Sequence, residues 1–288
     1  MNIFAGNLSK DVLKQSGGMN MYKLIAIDID GTLLNSHEEI TEQVNMAIQK
    51  AKSRGVKVVL CTGRPIGGIH SFIDTLNLKG EDDFSITFNG AFVQNNRTKE
   101  VTSENFLTYK DLKAFYDLSQ DVHSSMHYFD LTDMYTPNKK ISRYTVYESH
   151  ANQVQLHYRP MDETPEGIHI PKIMFIDDEE HLNKTIEAIP ESYKEKYMLV
   201  KSAPFFLDIL QPDVSKANAV KHLSEKFSIK REEIICIGDG ENDLSMIEFA
   251  GCGVAMANAT SSVKKAADFE TLSNDENGVA YAIEKLIL

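Results

Sequence analysis

Two acidic segments punctuated by glycine stand far apart in the chain: Asp28-Ile29-Asp30-Gly31-Thr32 and Gly238-Asp239-Gly240-Glu241-Asn242-Asp243. Carboxylates at the mouths of buried strands cost free energy unless they hold a cation or do chemistry. Brought together, they repel one another and are driven toward protonation. A hard divalent cation relieves that repulsion, and oxygen ligands without paired His or Cys favour Mg²⁺ over zinc. Thr62 adds a hydroxyl donor, and Lys216 adds a positive charge for the non-bridging oxygens of a phosphoryl group. Gly31, Gly63 and Gly240 let backbone amides approach an anion. Donors and cations converging in this way supply the electrostatic stabilisation that phosphoryl transfer mainly requires. The spacing of the first segment divides the labour. Asp28, nearest the strand end and ionised, would attack phosphorus. Asp30, past the turn at Gly31, would protonate the leaving oxygen and then activate water.

Positioning these residues requires a particular set of elements. Each acidic segment follows a short apolar run, at 24–27 and 234–237, that reads as a fully buried parallel strand. Between them Ile40, Val44, Ala47, Ile48 and Ala51 have helical spacing that ends near Gly55. The run 56–60 reads as a second strand, Thr62-Gly63-Arg64 as the loop after it, and 84–88 as a third strand. Pro65 opens a helix whose apolar stripe is Ile66, Ile69, Phe72, Ile73 and Leu76. This alternation predicts an α/β fold with a doubly wound parallel sheet and right-handed crossovers. Ligands in such sheets bind at the edge where the strands end. That edge is where Asp28, Thr62 and Asp239 fall, with Lys216 at a helix start.

At Asn89-Gly90, a hairpin signal, the texture changes. Candidate strands at 126–129, 144–147, 168–176, 197–201 and 205–210 mix with candidate helices at 109–119 and 179–188. Strands not each followed by a helix predict an inserted α+β module. Alternation resumes from Val214. The predicted division is an N-terminal extension or tag at 1–20, a core made of 21–90 and 211–288, and an inserted cap at 91–210.

Composition narrows the class. The chain has 288 residues, 42% hydrophobic and 25% charged, which suits a globular protein with room for two domains. A formal net charge of -12 with no basic stretch argues against a nucleic-acid partner. No apolar run approaches a membrane span. The first twenty residues lack the continuous apolar region of a signal peptide, being interrupted by Lys10, Asp11 and Lys14. Cys61, Cys236 and Cys252 form no C-x-x-C pair and read as buried hydrophobes in a reducing, cytoplasmic setting.

These residues together resemble the haloacid dehalogenase-like superfamily of phosphohydrolases. Asp28-x-Asp30-Gly31-Thr32 is similar to its first motif, Thr62 to its second, Lys216 to its third and Gly238-Asp239-x-x-Asn242-Asp243 to its fourth. Thr62-Gly63-Arg64, Asn89-Gly90-Ala91, Tyr135-Thr136-Pro137-Asn138 and Gly253 to Ala259 resemble the Cof-type branch, and within it the YidA-like sugar phosphatases. The resemblance covers essentially residues 21–288. It implies a Rossmann-like core with an inserted cap, Mg²⁺ held by the carboxylates of Asp28 and Asp239 and the backbone carbonyl of Asp30, and phosphate bound by Thr62, Gly63 and Lys216. It also implies that Asp243, with Asn242, supports the site by orienting Lys216 or a metal-bound water. The third motif of these relatives is usually Lys-Gly, and here it is Lys216-Ala217. The implied activity is Mg²⁺-dependent hydrolysis of small phosphomonoesters, sugar phosphates among them, through an aspartyl-phosphate.

Rival readings attach to the same residues. A sugar-phosphate mutase would use the same core while excluding water. A signalling receiver domain also combines acidic residues, a Thr and a Lys, but lacks a cap. Arg64, Asn89 and Asn218 are candidate substrate contacts or plain loop residues. Asp177-Asp178-Glu179-Glu180 reads as acidic residues complementing a helix start. His123 and His127 lack a third ligand for zinc. Phe205-Phe206 and the Tyr144/Tyr147 pair read as cap core rather than a sugar-stacking surface. The partner is a small phosphorylated metabolite, and the sequence leaves a homo-oligomer open.

Overall fold

The structure, a computed structural model, describes residues 22–288. The expected extension at 1–20 lies outside the described residues. Fourteen strands among them build two sheets. In chain order they are β1 (Leu24–Ile27), β2 (Lys57–Cys61), β3 (Phe84–Thr87), β4 (Phe92–Asn95), β5 (Val101–Glu104), β6 (Ser125–Phe129) and β7 (Met134–Thr136). They continue as β8 (Leu156–Tyr158), β9 (Lys172–Ile176), β10 (Met198–Ala203), β11 (Phe206–Leu210), β12 (Ile234–Gly238), β13 (Cys252–Ala255) and β14 (Phe269–Glu270).

The first sheet has the order β14-β13-β12-β1-β2-β3-β4-β5. β1 lies between β12 and β2 and runs parallel to both, with Ile27 opposite Ile237 and Leu60. Alternate side chains face opposite layers, as strand geometry requires. Ile25, Ile27, Val58, Leu60 and Ile235 pack against Val44 and Ile48 of the helix Glu42–Ser53 and Val279 and Ile283 of the helix Gly278–Leu286. Leu24, Ala26, Val59, Cys61 and Cys236 pack against Val220 and Leu223 of the helix Lys216–Lys226 and Met246 of the helix Leu244–Phe249. Helices on both faces account for the near-continuous apolar runs in these strands. All three cysteines are free and buried.

The second sheet has the order β10-β11-β9-β6-β7-β8 and is antiparallel except between β7 and β8. Phe115 of the helix Tyr109–Asp121 packs with Tyr128, Phe175 and Ile209 on one face. On the other face Phe129, Met174, Ile176 and Phe206 meet Phe88 and Phe92, so an apolar cluster joins the two sheets.

Two expectations differ from this arrangement. Residues 144–147 are not a strand but part of the helix Arg143–Asn152, whose start is capped by the Ser142 hydroxyl accepting from Tyr144 N–H at 3.2 Å. Thr145 and Glu148 are buried while Val146 and Tyr147 are exposed, a spacing of three that a strand would not give. The capped helix therefore overrides the β-propensity of Tyr-Thr-Val-Tyr. The insertion expected from about 91 would open with β4 and β5, but these pair antiparallel onto β3 and extend the first sheet. The second sheet starts only at β6. The Asn89-Gly90 turn does join β3 to β4, with Phe88, Asn89 and Gly90 all at positive φ.

Candidate active site

Because β1, β2 and β12 run in one direction, the residues that follow them emerge on one edge. Asp28 comes directly after β1, Thr62 after β2 and Asp239 after β12. Asp28 donates its backbone N–H to the Ile237 carbonyl, which fixes the point where the chain leaves the sheet. It then turns within Ile29–Leu33, and Gly31 adopts φ 76°. A side chain at Gly31 would overlap the Asp239 carboxylate, so glycine satisfies both the turn and the close approach. The Thr32 hydroxyl donates to Asp239 Oδ1 at 2.8 Å, tying the first acidic loop to the second.

Lys216 is the hub of the charge arrangement. It is the first residue of a helix capped by Ser215, and only 1% of its surface is exposed. Its Nζ donates to Asp28 Oδ1 at 2.6 Å and to Asp243 Oδ1 at 2.5 Å. Asp243 Oδ2 accepts from the backbone N–H groups of Asp239 and Gly240, each at 3.0 Å. Both Asp243 oxygens are therefore engaged in holding neighbours. Ala217 in place of the family's glycine leaves the Lys216 ammonium seated between its two carboxylates.

Asp28, Asp239 and Asp243 bring oxygens within 4.8 Å of one another. Burial, then the Asp243 carboxylate, pushes the Asp28 carboxyl well above its usual range, despite Lys216. Burial and Asp243 likewise push Asp239 up to about 6. Burial opposes the charge on Lys216, but Asp243 and Asp28 outweigh it and hold the ammonium above the ordinary lysine range. One oxygen of Asp28 and one of Asp239 accept no hydrogen bond among the described residues. Two desolvated neighbouring carboxylates, each with an oxygen left without a hydrogen bond, suit a hard divalent cation, which would remove the repulsion recorded in those shifts.

The remaining expected residues fall into two groups. Thr62 is 1% exposed; its oxygen Oγ1 accepts from Arg64 N–H at 3.1 Å. Gly63, Arg64, Asp30 and Asn242 line a cavity of about 320 Å³ together with Asp28 and Asp239. Arg64 grips Asp30 with two nitrogens, Nε to Oδ2 at 2.9 Å and Nη2 to Oδ1 at 2.5 Å. Its Nη1 reaches across to the Ala151 carbonyl at 3.1 Å. Asn89 is buried, donates to Asp208 Oδ2 at 2.9 Å and accepts from Asn242 Nδ2 at 3.2 Å. Asn218 is exposed and turned back onto the Asp213 carbonyl at 2.6 Å. It does not line the cavity, because its side chain caps the loop before its own helix.

The far wall of the cavity comes from the second sheet and its helices: Tyr147, Glu148, Lys172, Ser202 and Phe205. Phe206 is buried in the apolar cluster between the sheets, with Phe205 and Tyr144 packed against it, as expected of a core, and Phe205 and Phe206 also line the cavity; Tyr147, expected in that core, is instead exposed on the cavity. The one signal for Lys172 was a lone charge beside the apolar run Ile173-Met174-Phe175-Ile176. Asp178 caps the helix Glu179–Ala188 by accepting from His181 N–H at 3.1 Å, as expected of the acidic run. His127 is buried against Met174 and Thr145, and burial lowers its pKa well below the usual value.

A family model described as haloacid dehalogenase-like hydrolase matches residues 25–283. YxeH of Bacillus subtilis is 56% identical over 93% of this chain and 99% of its own length. YcsE of the same organism, a 5-amino-6-(5-phospho-D-ribitylamino)uracil phosphatase, is 32% identical over 92% of this chain and 96% of its own. The solved structure of the sugar phosphatase BT4131 superposes with a TM-score of 0.77 at 26% identity, covering 91% of this chain and 98% of that one. No helix among the described residues is long and apolar enough to cross a membrane. With the family model spanning nearly the whole described chain, the protein belongs to the haloacid dehalogenase-like hydrolases, in their Cof-type branch, and is a phosphoric monoester hydrolase.

Proposed function

We propose that the enzyme hydrolyses small sugar phosphates in a Mg²⁺-dependent reaction, in the cytoplasm, through an aspartyl-phosphate on Asp28. The observation that carries this reading is the meeting of Asp28 and Asp239 on the wall of one cavity, with Lys216 and Asp243 buried behind them and residues of the second sheet and its helices opposite. In this reading residues 21–90 and 211–288, extended by β4 and β5, are the catalytic core. The second sheet with its helices is the cap.

Asp28 and Asp239 would hold the cation by carboxylate oxygens and Asp30 by its backbone carbonyl. When bound, Mg²⁺ would draw charge from the phosphoryl oxygens and offset the repulsion between the carboxylates. The free oxygen of Asp28 attacks phosphorus. The bond from phosphorus to the leaving oxygen breaks, and that oxygen takes its electron pair and a proton from Asp30. Asp30 then accepts a proton from water as the water attacks phosphorus, which releases phosphate and restores Asp28. Lys216, Thr62 and the Gly63 amide hold the non-bridging oxygens, where charge builds up. Asp243 keeps Lys216 aimed. The cap excludes bulk water and contacts the leaving group.

The test is a phosphate-release screen of aldose phosphates, polyol phosphates and p-nitrophenyl phosphate, with Mg²⁺ and with EDTA. Release from the sugar esters that EDTA abolishes and Mg²⁺ restores is the expected result. Isomerised sugar phosphate without free phosphate would replace hydrolysis by a mutase reaction. Equal turnover in EDTA would remove the metal.

A further inference from the structure

We propose that Lys172, with Glu148 and Ser202, reads the hydroxyl groups of the leaving group, and that Lys172 is the specificity-determining residue of the enzyme. The inference rests on the proposed hydrolysis of hydroxylated phosphate esters. It goes further in naming the side chains that select them.

Lys172 begins β9, in the middle of the second sheet, and is 3% exposed. A lysine so placed is costly unless its charge is compensated and its three N–H groups find acceptors. Compensation is present. Glu148 Oε1 lies 3.5 Å and Asp208 Oδ2 3.7 Å from the ammonium. Hydrogen bonding is not complete, since both distances exceed the roughly 2.7–2.9 Å of a charge-assisted bond. The Phe129 ring, 5.0 Å from Nζ, closes one side. Lys172 lines the cavity that holds Asp28 and Asp239. Among the described residues its N–H donors therefore have only the long contacts to Glu148 and Asp208, on a wall facing the proposed reacting groups.

The neighbours are arranged to keep it so. Asp208 is occupied by Asn89 at 2.9 Å and by the Ser202 hydroxyl at 3.0 Å, and it does not line the cavity. It fixes Lys172 and Ser202 without competing for a ligand. Glu148 lines the cavity beside Lys172, and burial raises its pKa. An ammonium donor, a carboxyl acceptor and a hydroxyl on one wall match adjacent hydroxyls, each of which both donates and accepts. Two carboxylates already balance the one lysine, so a second phosphate would meet no net positive charge. Tyr147 and Phe205 supply an apolar face on the same cavity for the carbon skeleton. The wall fits a neutral polyol or sugar ring and disfavours bisphosphates. A site built to bond hydroxyls also penalises an ester that lacks them.

The experiment compares kcat/KM, in Mg²⁺, for the best aldose or polyol monophosphate of a panel, for its bisphosphate and for p-nitrophenyl phosphate, whose leaving group has no further hydroxyls. The readout is the ratio of the hydroxylated monoester to p-nitrophenyl phosphate, which a merely structural defect would not move. Lys172→Met should lower that ratio about 10- to 100-fold. Glu148→Gln, which leaves no buried cation bare of Asp208, should lower it roughly 3- to 10-fold and serves if the lysine variant fails to fold. An unchanged ratio in the folded variants, or a wild-type preference for the bisphosphate, overturns the proposal. Wild-type turnover of p-nitrophenyl phosphate with none of any hydroxylated monoester also overturns it while leaving the hydrolase in place. No Mg²⁺-dependent release from any ester would instead bring down the reading on which it rests.

Discussion

Asp28 sits in a field set by its immediate neighbours. Burial and Asp243 oppose its charge, while Lys216 at 2.6 Å supports it. Replacing it with asparagine keeps the shape and removes the proposed nucleophile. Asp28→Asn should therefore lower phosphate release by a factor on the order of 10³ or more, with the circular dichroism spectrum unchanged. Turnover within tenfold of wild type would assign the attack to another group. The same field makes stability depend on pH. Asp28 is raised, and Asp239 is raised from 3.8 to about 6, so the metal-free fold binds these protons more tightly than the unfolded chain does. For Asp239 the fold carries no such penalty below pH about 4, acquires it as pH rises through about 6 and bears it fully above; Asp28 adds to it in the same direction. A cation between the carboxylates removes the penalty. Mg²⁺ should accordingly raise Tm more at pH 8 than at pH 5, and equal shifts in a thermal melt would count against an ion held by these carboxylates.

Among the elements, the turn after β3 positions more than its own strand. Gly90 has φ 105°, and a side chain there would overlap the carbonyl of Ser215, the cap of the helix that carries Lys216. Gly90→Ala should cost about 2–3 kcal/mol in urea unfolding and lower turnover as well, because the Lys216 helix start must shift. A loss below about 1 kcal/mol would show that the turn yields freely. The catalytic strands were legible in the sequence because each is an apolar run ending in a polar or glycine residue, and both β1 and β12 are buried along their whole length. The second sheet was harder to read. β7 and β8 have three residues each, too few for a periodic signal, and 144–147 looked like a strand until Ser142 capped a helix there. Lys172 and Asp208 were invisible as a pair, since nothing local says that charges 36 residues apart will lie 3.7 Å from one another. Asp28 and Asp239 escaped that difficulty only because glycines mark both loops.

At the scale of the molecule, two polar bridges among the described residues span the sheets. Asn242, Asn89 and Asp208 form one, and Arg64 forms the other by holding Asp30 and the Ala151 carbonyl at once. For Asp30 to face a leaving oxygen, the guanidinium must turn aside, which ties that motion to the position of the opposite wall. Arg64→Lys keeps the charge but cannot reach both Asp30 oxygens and Ala151 together. It should lower kcat about tenfold in steady-state assays, and an unchanged kcat would make the bridge ornamental. The order of the pieces along the chain has its own result. β1 is emitted early, yet the strand on one of its flanks and the lysine that neutralises Asp28 come 188 residues or more later. A nascent polypeptide on the ribosome therefore displays a bare strand edge and an aspartate without its counter-charge until Lys216 and β12 are synthesised. On the proposed roles of Lys216 and Asp239, a product truncated ahead of Lys216 should release no phosphate from p-nitrophenyl phosphate.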